Sequence, residues 1–196
     1  MLKTTANPKI EGFFVIRDKN TSELLLHKSN AIHYENMSIS IAQSLARQPE
    51  GFISKMVFGN GGATVSGAGT ISYFPPNITG LDAELYNQTY EKIVDASDPR
   101  NTDPSRNNIT VRHVPSTLFS DIIVTCTLEF AEPSGQNAFD DATNVEDLFI
   151  FDEIGLKSFG VTPAQEKLLT HAIFSPIEKS LNRVIEIIYT IRISMC

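Results

Sequence analysis

Hydrophobic and polar positions alternate most clearly near the C-terminus. Over 184–193, Ile185, Ile187, Tyr189, Ile191 and Ile193 fall on one side, with Glu186, Thr190 and Arg192 on the other. A period of two is the signature of a half-buried strand. The stretch 119–131 repeats it, predicting Ile122, Val124, Cys126, Leu128 and Phe130 inward and Asp121, Thr125, Thr127 and Glu129 on a wet face. Residues 10–17 (IEGFFVIR) and 23–27 flank the polar stretch Asp18, Lys19, Asn20, Thr21, Ser22, which reads as a hairpin. Further strands are predicted over 52–58, 85–95, 148–151 and 167–174. Only 34–47 has helical periodicity: Met37, Ile41 and Leu45, with Ala42 and Ala46, recur every fourth position. Asn30 or His33 is placed to cap that helix, and Pro49 to stop it.

Strands joined by turns, one helix and no βα alternation predict a mainly β protein. The expected fold is an antiparallel β-sandwich, jelly-roll or Ig-like, with one amphipathic helix and long loops. A doubly wound nucleotide-binding fold is disfavoured. The chain reads as one domain, 1–196, with loop insertions at about 59–80, 96–108 and 132–147.

The first insertion opens with five glycines in eleven residues (59–69, GNGGATVSGAG). No Gly-Lys-Ser/Thr follows, and the spacing fits no dinucleotide fingerprint. What is left is a mobile loop or a place where another backbone comes close. Tyr73 and Phe74 then stand before Pro75 and Pro76, where a strand must end or lie on an edge. Two Asp-Pro pairs and Asn107-Asn108 make 96–108 a loop.

Composition adds limits more than function. A chain of 196 residues with 41% hydrophobic and 20% charged residues is long enough for a core without metal or disulfide support. No apolar run reaches bilayer length, and the first residues lack a signal-peptide core, so a soluble protein made in a cytoplasm is expected. The five Asn-x-Ser/Thr sequons, at Asn20, Asn36, Asn77, Asn87 and Asn108, then read as turn-rich composition. Of the two cysteines, Cys126 falls in a strand pattern as a small buried hydrophobe, and Cys196 is terminal. A disulfide between them is disfavoured in a reducing compartment.

The net charge of −7 is concentrated. Residues 132–153 hold seven acids (Glu132, Asp140, Asp141, Glu146, Asp147, Asp152, Glu153) and no Lys or Arg. A solvated loop rim is the simplest reading; a patch facing a basic partner or a hard cation is the functional one. No stretch is basic enough to grip duplex DNA.

Candidate chemistry is sparse. Asp18, Asn20 and Ser22 have calcium-loop spacing, but Glu23 stands where Gly is needed and Ser29 where the bidentate Glu is needed. His27 and His33 lack Cys partners at zinc spacing. His171, central in an apolar strand, reads as a hydrogen-bonded structural histidine rather than a ligand or base. There is no Gly-x-Ser-x-Gly elbow, and the adjacent pairs Asp140/Asp141 and Asp152/Glu153 point to opposite faces of a strand. No catalytic residue, metal or cofactor is expected.

Several stretches together carry a resemblance: 12–17 (GFFVIR), 30–38 (NAIHYENMS), 56–62 (MVFGNGG), 71–76 (ISYFPP), 85–95 and 171–193. The chain resembles small structural proteins of tailed-bacteriophage virions, especially contractile-tailed ones, over 10–193. The resemblance implies a non-enzymatic subunit built into a ring, at the neck (collar or connector region) between portal and tail, with capsid decoration or baseplate as alternative positions. Collar rings of that family hold six or twelve copies, decoration proteins hundreds.

Partners would be other copies of the chain and neighbouring virion proteins (portal, connector, tail or capsid). No sequence-specific nucleic acid and no membrane are expected, and assembly would take place in the host cytoplasm. Contacts between subunits are expected at Gly59, Asn60, Gly61, Gly62, Tyr73, Phe74, Pro75, Pro76, Asp140 and Asp141. The acidic segment would face a basic ring, or line a channel through which DNA passes without sticking. Two other classes compete. One is a lectin-like carbohydrate-binding module using Tyr73, Phe74 or Tyr86 for stacking, with acids of 140–147 holding Ca²⁺. The other is a hydrolase dependent on His171.

Overall fold

The computed structural model describes residues 7–133 and 148–195. Strands β1 (Pro8–Asp18), β2 (Leu24–Ser29), β9 (Phe119–Leu128), β8 (Asn108–His113) and β12 (Ile185–Met195) form one antiparallel sheet in the order β2-β1-β12-β9-β8. A second sheet has the order β3-β11-β10-β4-β7, from β3 (Ala31–Ile32), β4 (Ile53–Gly59), β7 (Gln88–Ile93), β10 (Leu148–Ser158) and β11 (Leu168–Ser180). The remaining strands, β5 (Ala63–Val65) and β6 (Ile71–Tyr73), pair only with each other.

The two large sheets form a sandwich, as the alternation predicts, and a chain of aromatic rings joins them. Phe14 of β1 stacks on Tyr189 of β12 at 5.4 Å and meets Phe174 of β11 at 5.7 Å; Phe174 meets Phe151 of β10, which meets Phe58 of β4. The Tyr189 hydroxyl crosses the layer to donate to Thr170 Oγ1 at 2.8 Å, so the one polar atom in the stack is satisfied. Ile185, Ile187, Tyr189 and Ile191 are all fully buried.

The helix α1 spans Tyr34–Leu45. Of the two predicted caps, His33 is the one used: its Nδ1 accepts from the Asn36 N–H at 3.2 Å, satisfying an otherwise unpaired first-turn donor. The predicted hairpin turn is also present. Asp18 Oδ1 accepts the N–H groups of Asn20 and Thr21, an Asx turn rather than a cation loop. Cys126 is free and buried, and burial pushes its thiol up to about 12.

Four expectations are corrected. The insertion at 59–80 is not all loop, since it contains the β5–β6 hairpin. β8 was unforeseen: its Ile109 and Val111 alternate, but it is a short edge strand directly after the Asp-Pro loop. Asp121, expected on a wet face, is fully buried, because the register puts Arg112 of β8 and Arg192 of β12 directly opposite it on either side. Hydrogen bonding to Arg192 first, then Arg112, outweighs burial and holds its carboxyl at about 2. Phe130, expected inward, lies beyond the end of β9 and is exposed.

A fifth correction leads to the site. Both readings of the acidic run, a solvated rim or a patch facing a partner or cation, need it at the surface, yet Asp152 and Glu153 lie inside β10 and are buried. A bulge between Phe151 and Glu153 reverses the alternation. Before it, Phe149 and Phe151 face the core; after it, Ile154 and Leu156 do, leaving Glu153 on the outer face of the second sheet. That face is covered by its own apolar patch of Val57, Ala83, Leu85 and Leu168, under the segment before β7. Of the other acids of the run, Glu132 pairs with Lys92 and accepts the Glu129 N–H; Asp140, Asp141, Glu146 and Asp147 lie outside the described residues.

Candidate functional site: the glycine and aromatic loops around Glu153

Glu153 sits at the centre of three loops. Its Oε1 accepts the N–H groups of Gly61 (3.1 Å) and Asn87 (2.8 Å); its Oε2 accepts the Tyr86 N–H (2.9 Å) and faces His171 Nε2 at 3.0 Å. Both side chains are fully buried. His171 Nδ1 accepts the Asn77 N–H at 2.8 Å, so the hydrogen-bond network assigns the ring proton to Nε2, from which it is donated to Glu153. Burial alone would push the Glu153 carboxyl up. The His171 bond and the three backbone donors outweigh it and hold the carboxyl below the ordinary Glu range. Next to it, burial raises Asp152 despite the Gly62 N–H donated to its Oδ1 at 2.9 Å.

These bonds gather the predicted glycine and aromatic residues into one cluster. The Phe74 N–H donates to the Gly62 carbonyl and the Asn60 N–H to the Asn87 carbonyl. The Tyr86 hydroxyl donates to the Pro75 carbonyl at 2.8 Å, and its ring lies 5.0 Å from Phe74 and 5.7 Å from His171. Tyr73 donates to Ser175 Oγ on β11. Pro75 and Pro76 follow one residue after β6, which ends at Tyr73.

The glycines are needed because backbone packs against backbone. A Cβ on Gly59 would lie 2.3 Å from the Asn87 carbonyl oxygen and 2.4 Å from Glu153 Oε1; one on Gly61 would lie 2.7 Å from the Asn87 nitrogen. Of the two readings of this stretch, close approach of another backbone therefore describes Gly59 and Gly61. Gly67 and Gly69 differ: an added Cβ at either meets nothing within 4 Å.

Strands β5 and β6 form a two-stranded arm whose tip is the turn 66–70. Ala63 pairs with Tyr73 and Val65 with Ile71, so these four side chains share one face, while Thr64 and Ser72 share the other. Val65 is 69% exposed and Ile71 49%. A lone two-stranded hairpin is marginal in water; the root of this one rests on β11 through Tyr73, while Val65 and Ile71 toward its tip are left exposed by the described residues.

Of the residues expected to make contacts, Gly59, Asn60, Gly61, Gly62, Tyr73, Phe74, Pro75 and Pro76 are thus brought together; Asp140 and Asp141 lie outside the described residues. In the sequence Glu153, the organiser, stands out only as one acid of a run and as half of an adjacent pair on opposite faces of a strand. A signal was there: Asp152 and Glu153 interrupt an otherwise apolar stretch, 148–156 (LFIFDEIGL), where two acids on a buried strand need internal partners. His171 is hydrogen-bonded and buried, as read, and both its ring nitrogens hold neighbours in place. Among the described residues no group of three or more His, Cys, Asp or Glu side chains is placed to hold a metal ion, and no helix is long and apolar enough to cross a membrane. No family model matches the chain, and no curated protein or solved structure is significantly similar to it.

Proposed function

We propose that the chain is a non-enzymatic structural subunit of a tailed-phage virion, closing a ring at the neck, in the collar or connector region, through loop-mediated contacts. The observation that carries this reading is the β5–β6 arm. It is a hairpin whose Val65 and Ile71 are left exposed by the described residues, rooted in loops fixed by a buried carboxylate. A rigid base with an uncovered apolar extension suits a protein completed by its neighbours. The Glu153–His171 pair has the composition of an acid–base dyad, but its hydrogen bonds all go to holding loop backbone, which favours architecture over catalysis. The partners are other copies of the chain and the adjoining virion proteins.

The test is quantitative protein staining of purified particles against the major capsid protein. Six to a dozen or so copies supports the axial ring. Hundreds would move the chain to capsid decoration, and absence from the particle would overturn the reading.

One observation favours a second reading, a carbohydrate-binding module. Phe74 and Tyr86 form a half-exposed ring pair of the kind on which a sugar can stack. Glycan-array binding that is lost in Phe74→Ala would support that alternative.

A further inference from the structure

Two apolar surfaces left exposed by the described residues lie on different parts of the fold. One is the face of the β5–β6 arm. The other is a wedge of about 510 Å³ where the sandwich opens beside the helix. Met37, Ile41 and Leu45 of α1 line one wall; Ile109 and Val111 of β8 with Ile193 of β12 line the other. At its mouth Leu45 is 85% exposed and Val111 71%. Asp95 is the one charged residue in its lining.

We infer that the wedge of one copy receives the arm of the next, with Val65 and Ile71 as the inserted side chains. The inference rests on the subunit reading and specifies its contact. Four observations select a second copy as the occupant. The arm does not fill the wedge of its own chain, since no residue of 63–73 lines it. From Asn60 to Leu81, the stretch that carries the arm, the chain has no charged side chain, although a fifth of its residues are charged. Exposed surface with no charge has the composition of an interface core, and the nearly uncharged wedge matches it. In addition, β8 is an edge strand of its sheet, so an arm strand laid beside it would gain ladder hydrogen bonds as well as apolar contact. Finally, arm and wedge are different surfaces, so their pairing is head-to-tail. That is the class of contact that closes rings when the rotation permits.

The test uses the full chain in sedimentation velocity at increasing concentration, with Ile71→Asp in the arm and Val111→Asp in the wedge. Both positions are exposed in the single chain, so circular dichroism and thermal melting should match the wild type. Each variant should weaken self-association by roughly 100-fold or more, because a carboxylate would be buried unpaired at the contact. Mixed together, they should form a one-to-one pair and nothing larger, because only the intact wedge of the arm variant and the intact arm of the wedge variant can meet.

The inference is overturned if either variant associates like the wild type, if the mixture forms no pair, or if the wild type stays monomeric at every concentration. None of these outcomes removes the subunit reading, which fails on the chain's absence from purified particles.

Discussion

Replacing Glu153 by Gln changes one oxygen into an NH₂ group and leaves the volume almost unaltered, so no cavity contributes to the effect. The structure leaves the new amide no good orientation. With its oxygen kept toward Gly61 and Asn87, the NH₂ group faces the Tyr86 N–H and the His171 Nε2–H. A tautomer switch in His171 relieves the second clash but turns a ring N–H onto the Asn77 N–H. With the oxygen on the other side, Gly61 and Asn87 lose their acceptor. Every arrangement strands at least two donors. At about 1–3 kcal/mol for each unsatisfied buried donor, the loss is roughly 2–6 kcal/mol. That is a large share of the 5–15 kcal/mol typical of a folded domain. Urea unfolding followed by tyrosine fluorescence, unobstructed because the chain has no Trp, measures the total. Hydrogen exchange at Gly61, Asn77, Tyr86 and Asn87 should accelerate in the variant. A loss below about 1 kcal/mol, with those amides still protected, would refute the view that this carboxylate holds the loops.

Three other perturbations test separate parts of the structure. Asp121, held at about 2, has a folded value below its unfolded one, so its contribution is present above about pH 4 and is lost as pH falls toward 2. Asp121→Asn should flatten that part of a stability–pH profile measured by urea unfolding; an unchanged slope would contradict the assignment. Ile187→Asp places an unpaired charge in the fully buried face of β12 and should cost several kcal/mol, enough to remove soluble folded protein. A soluble variant with native circular dichroism would show that face to be misassigned. Gly59→Ala should destabilise by about 1–3 kcal/mol through its clash with Asn87 and Glu153. Gly67→Ala, with nothing nearby, should stay within about 0.5 kcal/mol of wild type. Equal effects at the two glycines in thermal melts would contradict the close approach at Gly59.

What could be read in advance was what short-range periodicity encodes. The alternation of β12 and the four-residue recurrence in α1 are local, and each element formed where it was expected. Buried acids are another matter. Asp121 and Glu153 both look solvent-facing in isolation, because their partners come from other strands and loops. Arg192 lies 71 positions away from Asp121, and Asn87 lies 66 from Glu153. A single bulge in β10 also turned Glu153 to the outer face, and no pattern in the sequence announces a one-residue shift of register. The glycine and aromatic stretches were visible as unusual composition. That they converge on one carboxylate depends on the fold.

One segment of the chain is divided in two: loops fixed by Glu153 and an arm left for a neighbour. Hydrogen exchange of the free chain and of the chain in purified particles measures both halves together. In the free chain the amides of Gly61, Gly62, Asn77 and Asn87 should be protected and those of the arm tip, 66–70, should exchange fast. In the particle the tip should become protected while the four anchored amides stay as they were. An arm tip that exchanges equally fast in both states, or anchored amides that exchange as fast as the tip in the free chain, would contradict the account.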